Sequence, residues 1–161
     1  MSSVTHERES VWDYPRPPRL DAVPWRLVVE HGGVVVADTT AGIRVLETSQ
    51  PPAYYFPPEA VRTDLLRLST SRTFCEWKGT ADYADLVLPD GTGVGDVAWR
   101  YQRPTAPFAA IAGWWAFYPQ RLDRCSVDGE PVEANPGQFY GGWITSWITG
   151  PFKGGPGSAH W

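Results

Sequence analysis

WRLVVEHGGVVVADT, residues 25–39, reads as two strands and a turn. The runs at 25–30 and 34–39 are rich in valine, whose branched Cβ is confined to few rotamers and packs well on a pleated surface. Between them stand His31, Gly32 and Gly33, and glycine supplies the positive φ angles of a tight hairpin turn at no steric cost. An antiparallel hairpin is the prediction. Downstream, Ile43 to Thr48 alternates, so that Ile43, Val45 and Glu47 share one side and Arg44, Leu46 and Thr48 the other. Glu47 thereby ends an apolar face.

The same grammar runs through most of the chain. AYYF (53–56) is a short strand that stops at Pro57-Pro58. EAVRTDLLRL (59–68) follows, and proline in a first turn with Val61, Leu65 and Leu68 on one side predicts the one short helix, near 59–67. Strands resume in TFCEWK (73–78) and TADYADLVL (80–88) and, after the Pro89-Asp90-Gly91 turn, in DVAWRYQ (96–102), with Val97, Trp99 and Tyr101 on one face. GWWAFY (113–118) reads as a buried strand, and Asp128-Gly129 turns a small hairpin between CSV (125–127) and PVE (131–133). The fold class expected is mostly β and antiparallel.

Residues 1–24 read as an irregular arm, because the prolines of WDYPRPPRL withdraw backbone donors. Residues 25–136 form the β core. The tail, 137–161, is rich in Gly and Pro yet carries Trp143, Ile144, Trp147, Ile148 and Phe152, too many large apolar groups for a free segment, so it is expected to pack on the core.

A chain of 161 residues suits one domain, burying roughly 70% of its unfolded surface. Nine Trp, seven Tyr and six Phe exceed what such a core needs, so some rings are expected to line a pocket. A net charge of −4 argues against nucleic acid as a partner, since counterion release needs clustered Lys and Arg. The first ten residues are too polar for a secretory signal and no run approaches a membrane span, which predicts a cytoplasmic protein. Cys75 and Cys125 stand far apart and predict reduced thiols rather than a disulfide framework. His6, His31 and His160 fall in arm, turn and terminus, so neither a metal nor a cofactor is expected. No GxSxG elbow occurs.

The blocks ESVWDYPRPPRL, VLETSQPPAYYFP, FCEWKGTADY, VAWRY, IAGWWAFYP, FYGGWIT and GPFKG, in this order, resemble the bacterial and fungal family catalogued as domain of unknown function 427. The resemblance implies a compact, strongly twisted antiparallel two-sheet domain, tent-like or open-barrel, with no established activity. The family also carries a nucleotidyltransferase-like label, but this chain holds no Gly-rich phosphate loop leading into a helix. Where the family commonly reads Cys-Pro-Tyr-Lys-Gly, this chain reads Cys75-Glu76-Trp77-Lys78-Gly79.

Two constellations could carry chemistry. Glu47, Cys75 and Lys78 combine a carboxylate, a thiol and an ammonium that favours the thiolate, the parts of a nucleophilic site. In a regular strand Cys75 and Trp77 point one way and Glu76 and Lys78 the other, so the trio converges only if the chain bends or bulges at Gly79. Glu47 could instead cap the TSQPP turn or pair with Arg44 or Arg72, and a free cysteine is commonly a small buried hydrophobe. The second constellation is aromatic: Tyr55, Trp77, Tyr83, Trp99 and Tyr101, with Tyr54, Trp114, Trp115, Phe117 and Tyr118 nearby in sequence. The leading expectation is a pocket of these rings in which Glu47 and Lys78 orient a small polar or cationic molecule. The rival is an enzyme using Cys75 or Lys78 as nucleophile. A third reading is an interaction module, a homodimer through arm or tail.

Overall fold

The Val-rich stretch 25–39 folds as a hairpin and forms half of a four-stranded sheet. The computed structural model describes residues 6–155 and 157–161; residues 1–5 of the arm lie outside them. In chain order the strands are β1 (Glu9–Ser10), β2 (Arg19–Val23), β3 (Leu27–His31), β4 (Val34–Thr39), β5 (Gly42–Leu46), β6 (Ala53–Phe56), β7 (Leu66–Cys75), β8 (Gly79–Val87), β9 (Gly93–Arg100), β10 (Trp115–Phe117), β11 (Arg124–Val127), β12 (Glu130–Pro131), β13 (Glu133–Ala134), β14 (Trp143–Ile144) and β15 (Ile148–Thr149). His31 pairs with Val34 across Gly32 and Gly33, whose φ angles are +56° and +77°, the backbone that a two-residue hairpin turn requires. Asp128 and Gly129 do the same between β11 and β12.

A seven-stranded sheet, in the order β2-β5-β6-β10-β9-β8-β7, and a four-stranded sheet, in the order β12-β11-β3-β4, are each antiparallel throughout. Neither closes into a barrel among the described residues. The principal core lies between them: Leu27, Val29, Cys125 and Val127 from the small sheet meet Tyr54, Phe56, Leu86, Trp115 and Phe117 from the large one. Trp143 of the tail is fully buried there, its ring centre 5.2 Å from that of Tyr54, and its Nε1 donates to the Phe117 carbonyl at 3.0 Å. A second cluster, with Tyr55, Tyr83, Trp99, Tyr101, Phe108 and Tyr118, covers the other face of the large sheet. No helix among the described residues is long and apolar enough to cross a membrane.

Four sequence expectations change. The arm is not irregular to residue 24, because β2 adds to β5 with Leu20 opposite Val45, and β1 pairs in parallel with β15. The stretch 59–68 forms two single 3-10 turns, Pro58–Ala60 and Thr63–Leu65, rather than one helix of two to three turns, and from Leu66 the chain is already strand. Pairing of Leu66 and Arg67 with Leu86 and Asp85 overrides the helical spacing. TFCEWK is strand only to Cys75, since residues 76–78 are turn. Finally, Val97 packs in the principal core, apart from Trp99 and Tyr101, because extra residues bulge β9 between Val94 and Ala98, where Asp96 has a φ of +49°.

Candidate functional site

A row of side chains crosses the outer face of the large sheet. Ala116 on β10 lies opposite Tyr55 on β6 and opposite Trp99 on β9, and Trp99 lies opposite Tyr83 on β8. Period-two alternation explains the selection: Tyr54 and Phe56 turn into the principal core, and Tyr55 turns out. The small side chain of Ala116 leaves room between two large rings, and Trp99 Nε1 donates to the Tyr55 hydroxyl at 3.0 Å. Further along, the Tyr83 hydroxyl meets Thr73 Oγ1 at 2.8 Å and accepts from the Tyr118 hydroxyl at 3.4 Å. These rings floor a cavity of about 270 Å³.

The β7–β8 hairpin supplies one wall. Cys75 pairs with Gly79, and Glu76, Trp77 and Lys78 form the tip. Gly79 has a φ of +107°, a region open to glycine and strained for other residues. From the far side Thr105 braces the tip, its amide donating to the Lys78 carbonyl at 3.1 Å and its hydroxyl to the Trp77 carbonyl at 2.6 Å. Cys75, Trp77 and Lys78 therefore all reach one cavity, where strict alternation would have split them. Lys78 is only 8% exposed. Its Nζ stands 5.6 Å from the centre of the Tyr101 ring and 5.9 Å from that of Phe108. Among the described residues this ammonium has neither a hydrogen-bond nor an ion-pair partner.

Glu47, one residue past β5, lines the cavity beside Val45, and its carboxylate lies 3.9 Å from Arg16. Arg44 and Arg72 do not pair with it: Arg44 binds Glu9 and Asp21, and Arg72 binds Asp82. The tail closes the remaining side with Phe139, Tyr140, Gly141, Gly142 and Lys153. A Cβ on Gly141 would stand 2.5 Å from the Trp99 ring, so only glycine lets the tail backbone lie flat on that indole. Phe74 and Phe139, 76% and 63% exposed, stand at the mouth.

All eight candidates, Glu47, Tyr55, Cys75, Trp77, Lys78, Tyr83, Trp99 and Tyr101, line this cavity. Of the wider aromatic set, Tyr118 joins them, whereas Tyr54, Trp115 and Phe117 belong to the principal core and Trp114 packs against the second cluster without lining the cavity. Sequence reading missed Thr73 and the tail residues as lining; the Gly141-Gly142 pair and Lys153, within FYGGWIT and GPFKG, were the available signal. Burial pushes the phenols of Tyr55, Tyr101 and Tyr118 well above their ordinary range, so each remains an O–H donor at neutral pH. Burial likewise raises the thiol of Cys125, which sits in the principal core away from the cavity. No group of three or more His, Cys, Asp or Glu among the described residues could hold a metal ion.

A family model described as a domain of unknown function (DUF427) matches residues 19–128. The matched span contains the floor and hairpin wall of the cavity but not the wall made by residues 139–153. No curated protein matches the chain.

Proposed function

Because the chain belongs to the DUF427 family, whose description names no activity, we propose a function from geometry: the protein binds a small polar molecule in the cavity on the outer face of its large sheet. One observation carries this reading. A concave aromatic cavity of about 270 Å³ is joined by the ammonium of Lys78, a residue only 8% exposed, and by a carboxylate, Glu47, the composition of a site that holds a ligand by its body and orients it by a few polar groups. The setting proposed is the cytoplasm, where two free cysteines stay reduced.

A ligand that binds the native state alone raises its melting temperature by mass action. A thermal-shift screen against a metabolite library should give compounds whose shift is lost in Lys78→Ala or in Glu47→Ala. Shifts that survive both substitutions, or none across the library, would overturn the proposal.

The position of Cys75 on the same wall as Lys78 favours a second reading, nucleophilic catalysis. That reading requires Cys75 to react with iodoacetamide at least tenfold faster than glutathione does at the same pH. An equal or slower rate would remove the cysteine from any mechanism.

A further inference from the structure

The charges around the cavity indicate the sign of its ligand. Lys78 is more than nine-tenths buried, lines the cavity, and has no acceptor among the described residues. The faces of Tyr101 and Phe108 attract its charge through their quadrupoles but offer no lone pair to its N–H groups. A second lysine, Lys153, lines the cavity from the tail. Lys153 has its amide bonded to the Ser49 carbonyl at 2.8 Å and its carbonyl bonded to Asn135 Nδ2 at 2.7 Å, so its side chain starts from a fixed backbone. Its Nζ lies 5.6 Å from the Tyr140 ring centre, and it pairs with no carboxylate among the described residues.

Two carboxylates also line the cavity. Glu47 faces Arg16, and Glu76 is exposed at the hairpin tip, where water screens it. Neutral donors add to the positive character. The Tyr55 hydroxyl accepts from Trp99 and keeps its own proton to give, and the Tyr101 hydroxyl has no protein partner among the described residues. Among the described residues no arginine lines the cavity, and arginine is the side chain whose planar fork grips a phosphate at two points. The volume, about 270 Å³, lies just below the roughly 300–1,000 Å³ of most small-molecule sites, which suits a small ligand.

We infer that the ligand is a small, flat organic carboxylate, bound with its charge on Lys78 and Tyr101 and its unsaturated body against the Tyr55–Trp99 floor. The inference rests on the pocket proposed above and excludes the cationic ligand that aromatic walls alone would suggest.

Calorimetric titration tests it with four probes: trans-cinnamate, the isosteric neutral amide cinnamamide, benzyltrimethylammonium and inorganic phosphate. Cinnamate should bind saturably and at least tenfold tighter than the other three. Lys78→Met should weaken cinnamate at least tenfold and leave cinnamamide unchanged, and a melting curve checks that this variant is folded. Lys153→Met, a second variant on the other wall, should weaken cinnamate by a smaller factor. Equal binding of acid and amide, tighter binding of the ammonium or of phosphate, or an unaltered cinnamate affinity in Lys78→Met would each overturn the carboxylate assignment while leaving the pocket in place. Failure of every probe to saturate would overturn both.

Discussion

Lys78 and Arg44 are both buried cations, and the fold treats them in opposite ways. Arg44 presents its planar fork to Glu9 through two bonds of 2.8 Å and to Asp21 through a third of 2.8 Å. The Lys78 ammonium lies over two ring faces and, among the described residues, pairs with no carboxylate. The Lys78 ammonium opens onto the cavity and pairs with no carboxylate among the described residues, so Lys78→Met should change the stability of the ligand-free protein by less than about 0.5 kcal/mol in urea denaturation. Removing Arg44 leaves two carboxylates that can still reach water, so Arg44→Met should cost about 2 kcal/mol, less than the roughly 3–5 kcal/mol of a fully buried pair. Burial by itself would raise the pKa of Glu9, but Arg44 and the Tyr14 hydroxyl outweigh it and hold this carboxyl below its ordinary value of 4.5. A depressed carboxylate contributes stability above its unfolded pKa and loses that contribution as pH falls through the folded one. Glu9→Gln should therefore be less stable than the parent at neutral pH and lose less stability on acidification to about pH 3.5, measured by urea titration at both values.

The β7–β8 hairpin shows how an element can mislead a reading of its own residues. Alternation holds along β8, where Ala81 and Tyr83 face the second cluster and Ala84 and Leu86 the principal core. It fails at 76–78 because the tip is a turn, and this brings Lys78 to the side of Cys75. Gly79 was legible as a bend, but the direction of the bend depends on the segment after β9, where Thr105 holds the tip. Gly79→Ala has room for its Cβ, the nearest atom being the Arg103 carbonyl oxygen at 3.6 Å, so its cost is backbone strain of about 1–2 kcal/mol. Gly91→Ala, at a φ of +90° with nothing near its Cβ, should cost a similar amount. Only Gly79→Ala should also weaken ligand binding in a calorimetric titration, because only that turn aims Lys78. Equal binding losses in the two variants would mean that the tip does not orient the site.

Across the whole molecule, the tail supplies the last wall of the cavity, and strand pairing ties that tail to the arm at the other end of the chain. Glu9 of β1 pairs with Ile148 of β15, and the exposed Trp12 of the arm stands edge-on to Trp161 with ring centres 5.4 Å apart, so arm and tail aromatics partly satisfy one another within one chain. Trp143 anchors this closure between Tyr54, Phe56 and the Phe117 carbonyl. Trp143→Ala should cost about 3–5 kcal/mol through the cavity it leaves, seen as a lower midpoint in urea. If the anchor works as described, any folded remainder should also have lost ligand affinity, since Phe139 to Gly142 lie just before it.

Local pattern was enough to specify the hairpin at 25–39 and the antiparallel β class, because side-chain alternation, valine stiffness and glycine turns act within a few residues, whereas Glu47, Cys75 and Lys78 stood out by residue type and alternation set Lys78 apart from Cys75. The strand at 66–75, the bulge that turns Val97 inward, the aim of Lys78 and the wall made by Gly141 and Lys153 were decided by partners far away in sequence. Strand pairing and tail docking are long-range contacts, and a stretch such as 59–68, which could wind or extend, takes the conformation its neighbour pays for.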